Sequence, residues 1–123
     1  MMLRLEPDPG SVAQARHWVL RRAVAAGVAG EPGAVVELLT SELVANAVVH
    51  GPPDGVITVE TSTRAGRFEV AVGDDSPVPP VVRSADELAE GGRGMMLVAL
   101  MAATWGVRAG PGARKAVWFG VDL

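Results

Sequence analysis

Apolar residues recur at helical spacing in two segments near the start of the chain. The first helix is predicted over residues 12–26, because Val12, Ala15, Val19 and Ala23 lie on one side of it. Ser11 followed by Gln14 resembles a capping box at its start, and Gly27 is expected to end it. After a Gly-Glu-Pro-Gly breaker at residues 30–33, a second helix is predicted over residues 34–50.

Later segments change from helical to strand-like periodicity. Two β-branched runs around a turn that contains Gly66 predict an antiparallel hairpin. The further predicted elements are a short acidic helical stretch, a third helix and two final strands. In order, the hairpin strands and these elements cover residues 56–61, 67–72, 84–90, 95–103, 104–108 and 116–121. This order predicts an α+β two-layer sandwich, with helices on one face of a mixed, mostly antiparallel sheet.

Length and composition narrow the function classes. The 123 residues fit a single domain over residues 1–123, and 49% hydrophobic with 20% charged residues is a globular balance. The absence of cysteine excludes disulfides and thiolate metal sites, while a net charge of -3 argues against nucleic acid as a partner. No signal peptide and no membrane-spanning stretch is predicted, so a cytoplasmic protein without membrane partners is expected.

A polar stripe crosses the second predicted helix. Glu42, Asn46 and His50 are spaced by four, so each advances about 40° around the axis and the three can face a common ligand. The carboxamide oxygen of Asn46 suits Mg²⁺, and Glu42 could take a proton from an attacking hydroxyl or water. The same stripe could instead be a solvated polar face, and His50 could simply favour the negative helix end.

Two further motifs can each be explained by a ligand-binding role or by an ordinary structural role. Asp74 follows an apolar strand directly and could accept a hydrogen bond from the exocyclic amine of adenine, or it could belong to an ordinary Asp-rich turn. The Gly92-Arg93-Gly94 segment precedes a helix and could bind phosphate through backbone N–H groups, or the glycines could only mark the helix start.

These segments, in this order, resemble known nucleotide-binding motifs. Residues 42–51, 72–79 and 92–98 resemble the N, G1 and G2 boxes of the GHKL superfamily of histidine kinase and Hsp90-like ATPases. Residues 115–119 resemble the final strand motif of its actinobacterial members. The chain looks most like the anti-sigma factor serine/threonine kinases of that superfamily, which implies a Bergerat ATP-binding fold.

The resemblance implies a role for each matching residue. Glu42 would be the catalytic base, Asn46 would bind Mg²⁺, and Asp74 would bind the adenine amino group. Residues 77–91 would form a short lid over the nucleotide. The other implied cofactor-binding residues are Ser76 and Pro79 after the aspartate, Gly92 and Gly94 beside the phosphates, and Arg83 and Arg93 as γ-phosphate contacts.

Three positions depart from the family pattern. Ser76 and Val78 stand where the wider family has glycines, so the hinge of the lid is expected to be less permissive. Ala116 stands where the last motif usually has threonine, which is expected to remove a hydroxyl near the adenine.

The function that the resemblance implies is phosphoryl transfer in transcription control. With ATP and Mg²⁺, the protein would phosphorylate a serine or threonine of a small antagonist of the STAS type and would sequester a sigma factor. The resemblance also implies a homodimer. The alternative is a non-catalytic regulatory module that binds ATP or ADP and acts by partner exchange. Glu42 favours the kinase, and Ala116 with the altered hinge favours the module.

Overall fold

The computed structural model describes residues 1–75, 93–109 and 114–123, with the side chains of 93–95 excepted. The connections between consecutive elements are short in the described part of the chain. In chain order the elements are β1 (Met2–Leu5), α1 (Gly10–Ala25), α2 (Glu31–His50), β2 (Ile57–Arg64), β3 (Arg67–Asp74), α3 (Arg93–Met101), β4 (Thr104–Ala109) and β5 (Lys115–Asp122).

The strands form one five-stranded sheet in the order β1-β2-β3-β5-β4. Every pairing between these strands is antiparallel. The predicted α+β class, with helices on one face of the sheet, is confirmed. The described sheet is more regular than the mixed sheet that was expected, because β3 and β5 pair antiparallel although α3 and β4 lie between them in sequence.

Side chains alternate between a helix-facing side and an outer side of the sheet. On β3 the helix-facing residues are Phe68, Val70, Val72 and Asp74, and the first three are buried. Across the β3–β5 ladder, Val70 lies opposite Phe119 and Val72 opposite Val117. These residues pack with buried positions of α1 and α2 to form the core. The helix-facing side of the sheet is therefore the side that the two helices cover.

Helix α1 begins at Gly10, two residues before the predicted start, and the predicted capping box does not form. The Ser11 hydroxyl donates to the backbone oxygen of Glu6 at 2.7 Å, while the Gly10 N–H donates to Asp8 Oδ1 at 2.8 Å. Asp8 therefore satisfies a free N–H group at the helix start, and Gln14 is exposed. At the other end Gly27 has a φ of 96°, which places the chain reversal where glycine was expected to end the helix.

Helix α2 begins at Glu31, three residues before the predicted start. The proline that was taken as part of a breaker lies in the first turn, where its missing N–H group has no intrahelical partner to lose. An 18-residue window of this 20-residue helix has a mean hydropathy of 1.3, so by length and composition only the helix is apolar enough to cross a membrane. The expectation that no segment reaches that length is therefore wrong, although α2 packs as a core helix against α1, α3 and the sheet.

The first strand and the first hairpin differ in how well their sequences predict them. Strand β1 was not predicted; it pairs with β2 and buries Leu5 opposite Ile57. The β2–β3 hairpin turns through Ala65 and Gly66, whose φ values of 53° and 75° match the primed turns that suit strand twist. The predicted helical stretch at residues 84–90 lies outside the described residues.

Candidate functional site

The carboxyl end of α2 lies directly beside the carboxyl end of β3. A Cβ atom built on Gly51, the residue after α2, would lie 3.8 Å from the Cβ atom of Asp74. Asp74 is the last residue of β3 and is half-buried on the helix-facing side of the sheet. The structure therefore brings together two of the predicted motifs, the stripe on α2 and the aspartate after the apolar strand.

The polar stripe runs along α2 toward this end. Glu42 and Asn46 are half-buried, whereas His50 is exposed in the last helical turn. Leu43 and Ala47, each one residue further along, are buried in the core. Half-burial beside the core distinguishes Glu42 and Asn46 from a fully solvated face, and His50 lies where a positive charge favours the helix end.

The β3–β5 register decides which residue of the last strand accompanies Asp74. Lys115 lies directly opposite Asp74, and Ala116 lies opposite Gly73 on the outer side of the sheet. A Cβ atom on Gly73 would lie 3.7 Å from the Ala116 Cβ atom. Strand alternation directs residue 116 to the face opposite Asp74, so a hydroxyl at this position would not lie on the same face as the predicted adenine contact.

Asp75 is held by groups from two other strand ends. Its Oδ2 atom accepts a hydrogen bond from the Val56 N–H at 3.1 Å, and its Oδ1 atom accepts one from Arg114 Nη1 at 2.7 Å. The hydrogen bonds of Asp75 thus cross between strands instead of closing an ordinary Asp turn. The sequence did not single out Arg114, because its partner lies 39 residues away and only the strand register brings the two together.

Helix α3 begins with two residues of the predicted phosphate motif, Arg93 and Gly94. Its carboxyl end leads into β4 at the far end of the sheet, where the Ala103 N–H donates to the Gly120 oxygen at 2.9 Å. Nine residues in helical conformation span about 13 Å. Helix α3 packs against α2, the helix that carries the polar stripe.

The remaining predicted cofactor-binding residues are not among those that the structure describes. Ser76, Pro79, Arg83 and Gly92 fall in the gap between residues 75 and 93. The expected lid, residues 77–91 with Val78, falls in the same gap. Their assignments stay predictions from the resemblance.

The described residues also limit how a metal could be held. Among residues 1–75, 93–109 and 114–123, no group of three or more His, Asp or Glu side chains could enclose a metal ion. Magnesium often binds through one or two protein oxygens together with substrate phosphates and water. The single amide oxygen of Asn46 fits this binding mode. It does not fit a metal site in which the protein supplies all the ligands.

Comparisons with known proteins show the family and the fold of this chain. A family model described as the histidine kinase-like ATPase domain matches residues 5–119. The chain belongs to the histidine kinase-like ATPase family. Fifteen solved chains match this chain. One is the histidine kinase domain of the blue-light activated histidine kinase from Erythrobacter litoralis, with a TM-score of 0.55 and 28% sequence identity.

The match to that kinase is partial in length. It covers 74% of this chain but 44% of the Erythrobacter litoralis chain, so this chain spans less than half of that solved chain. No protein with a curated description matches. The family and the fold are thereby shown, and membership of an ATPase family favours a nucleotide as the ligand of the site.

Proposed function

We propose that this chain binds ATP with Mg²⁺ and transfers the γ-phosphoryl group to a serine or threonine of another protein. The observation that carries the proposal is the close approach of Gly51 to Asp74, in a chain that belongs to the histidine kinase-like ATPase family. It joins the helix that carries Glu42 and Asn46 to an aspartate at a strand end.

Each residue has a distinct task in this proposal. The Asp74 carboxylate accepts a hydrogen bond from the adenine amine, and the Asn46 amide oxygen binds Mg²⁺. The ion would neutralise charge on the phosphates when it is bound. Glu42 lies one helical turn before Asn46, about 5–6 Å along the axis, which is the right scale for a base that orients the acceptor hydroxyl beside the phosphates. The first turn of α3 supplies backbone N–H groups and favourable partial charge.

The acceptor and the biological role are the finer part of the proposal. We infer a kinase of the anti-sigma factor type, cytoplasmic and homodimeric, that sequesters a sigma factor and inactivates a small STAS-type antagonist by phosphorylation. The support is the resemblance of residues 42–51, 72–79, 92–98 and 115–119 to that subfamily. The similarity to a histidine kinase domain supports phosphoryl transfer but leaves the acceptor residue open.

A transfer assay with γ-labelled ATP tests the catalytic step. Purified chain is mixed with a candidate antagonist, and label on the antagonist is measured alongside ATP affinity by calorimetry. Glu42→Gln is expected to lower transfer by at least about 100-fold, since positioned general bases contribute about 10²–10⁴-fold, and to change the ATP Kd less than about threefold.

Glu37→Gln is the matched control, because Glu37 is an exposed carboxylate on the same helix. It should leave both readouts unchanged. Tight ATP binding without transfer by the unmodified chain, across the antagonists encoded near its gene, would favour the alternative, a module that acts by partner exchange. Equal transfer by Glu42→Gln and the unmodified chain would remove Glu42 from the mechanism.

A further inference from the structure

Two arginine–aspartate pairs lie at opposite ends of the β3–β5 ladder. At the far end, Arg67 lies opposite Asp122 and its Nε atom donates to Asp122 Oδ1 at 3.0 Å. At the end that carries Asp74, the pair Asp75–Arg114 continues the register by one residue beyond Asp74 and Lys115. The two pairs join the same two strands and lie on the same outer face, so each serves as a reference for the other.

The pair near Asp74 has more hydrogen bonds than the far pair. Besides the 2.7 Å bond to Asp75, Arg114 Nη2 donates to Thr58 Oγ1 at 3.3 Å and to the Val56 oxygen at 3.5 Å. Asp75 in turn accepts from the Val56 N–H. The Asp75–Arg114 pair therefore fastens the ends of β2, β3 and β5 together, whereas the Arg67–Asp122 pair joins only two strands.

The same pair is better shielded from water. About a third of each side chain is exposed, 34% for Asp75 and 31% for Arg114, against 71% for Asp122. A shielded, charge-assisted bond holds its geometry more strongly than an exposed one. The side chain of Asp75 is thus held on the outer face of the sheet, and this restrains the backbone directly after Asp74.

We propose that the Asp75–Arg114 pair positions Asp74 and thereby sets the preference of the site for adenine over bases that lack a 6-amino group. Asp75 and Arg114 are positioning residues, since they lie on the opposite face of the sheet from Asp74. Fixing the direction of the strand end fixes the direction of the Asp74 carboxylate. The inference rests on the proposed role of Asp74 in binding the adenine amine.

Binding of ATP and of ITP, each with Mg²⁺, measures this preference. Inosine carries an oxygen where adenine carries the amine, so a carboxylate that is held in place should reject ITP. Sites that hydrogen-bond a substrate group discriminate strongly against analogues that lack it. The unmodified chain is expected to bind ATP at least about tenfold more tightly than ITP, because the half-buried Asp74 carboxylate would face the inosine oxygen without a hydrogen-bond donor.

Arg114→Ala is expected to weaken ATP binding about three- to tenfold, the net effect of one ordinary hydrogen bond, and to leave ITP binding within about twofold. The ratio of the two Kd values should fall accordingly. Arg114→Lys keeps the charge but not the planar fork, so an intermediate ratio is expected. Arg67→Ala, at the far end of the same ladder, should leave the ratio unchanged.

The outcomes separate the two proposals. If the unmodified chain binds ATP and ITP equally, the role of Asp74 is wrong and the positioning inference falls with it. If the unmodified chain discriminates but Arg114→Ala discriminates equally well, only the positioning inference is overturned. A parallel loss of ATP and ITP binding, with a lower melting temperature, would mean that the pair only stabilises the fold, which also overturns it.

Discussion

At the scale of single residues, Gly51 shows why the end of α2 needs a residue without a side chain. A Cβ atom there would lie 2.5 Å from the Ala47 backbone oxygen, and its φ of -78° is ordinary. The constraint is therefore steric crowding and not backbone conformation. Relief of the clash must move either the last turn of α2 or the segment toward Asp74.

Gly51→Ala is expected to destabilise the protein by about 1–3 kcal/mol, the usual cost of overpacking, and to weaken nucleotide binding. Chemical denaturation and calorimetry measure the two effects. Gly33→Ala is the matched control on the same helix, because nothing lies within 4 Å of a Cβ built there. That change should be neutral or stabilise by up to about 1 kcal/mol, since alanine is the better helix former. Equal behaviour of both variants would contradict the crowding argument.

Asn46 belongs to the same scale, because one amide group carries its proposed role. Asn46→Asp is expected to lower nucleotide affinity in the presence of Mg²⁺ by about tenfold, because the carboxylate keeps an oxygen ligand but adds a negative charge beside the phosphates, while the fold survives. The measurement is calorimetric titration with ATP, with and without a chelator of Mg²⁺. An unchanged affinity and an unchanged Mg²⁺ dependence would mean that the stripe is only a polar face.

The residue scale also shows what one sequence can predict about a site. Helical spacing put Glu42 and Asn46 on one face, and strand position put Asp74 at the end of an apolar run. Their meeting at Gly51 depends on how α2 packs on β3, which no local period encodes. Likewise, the position of Lys115 opposite Asp74 follows from register, so the face on which residue 116 lies could not be predicted from the sequence.

At the scale of elements, the start of α1 distinguishes two explanations of the same sequence. A capping box would require Ser11 and Gln14 together, whereas the structure uses the Ser11 hydroxyl to hold the Glu6 oxygen. Ser11 is 5% exposed, and Gln14 is exposed to solvent. The hydroxyl therefore tethers the segment between β1 and α1 instead of closing a reciprocal cap.

Ser11→Ala is expected to destabilise the protein by about 1 kcal/mol, the typical net value of a hydrogen bond. Gln14→Ala should change stability by less than about 0.5 kcal/mol, as is usual for surface sites. Both values come from urea denaturation curves with a shared slope. Comparable losses in the two variants would support the capping box and count against the tether.

Elements with strong local patterns were predicted well, and those that depend on distant partners were not. The α2 helix and the β2–β3 hairpin carry their own periodicity and turn residues, so their positions were confirmed with small shifts at the ends. Strand β1 has only four residues next to a proline-containing segment, and it exists because β2 offers it a pairing edge. Propensity alone carries too little information for such a strand.

At the scale of the whole molecule, the core and the site share α2, β3 and β5 but occupy different levels of the sheet. Phe119 is fully buried opposite Val70, four residues along β3 from Asp74. Four residues of strand span about 13 Å. A loss of packing at Phe119 should therefore lower global stability without reshaping the strand ends next to Asp74.

Phe119→Leu is expected to destabilise the protein by about 1–2 kcal/mol through lost apolar contact, and to leave the ATP Kd within about twofold. Because ligand stabilisation depends on concentration relative to Kd, one common ATP concentration, set at 100 times the Kd of the unmodified chain, should add about 2.7 kcal/mol to both proteins. Thermal unfolding with and without Mg²⁺ and ATP measures this increment. A smaller increment in Phe119→Leu would show that core packing and site geometry are coupled through β5, so that the strand ends are not held by their local contacts alone.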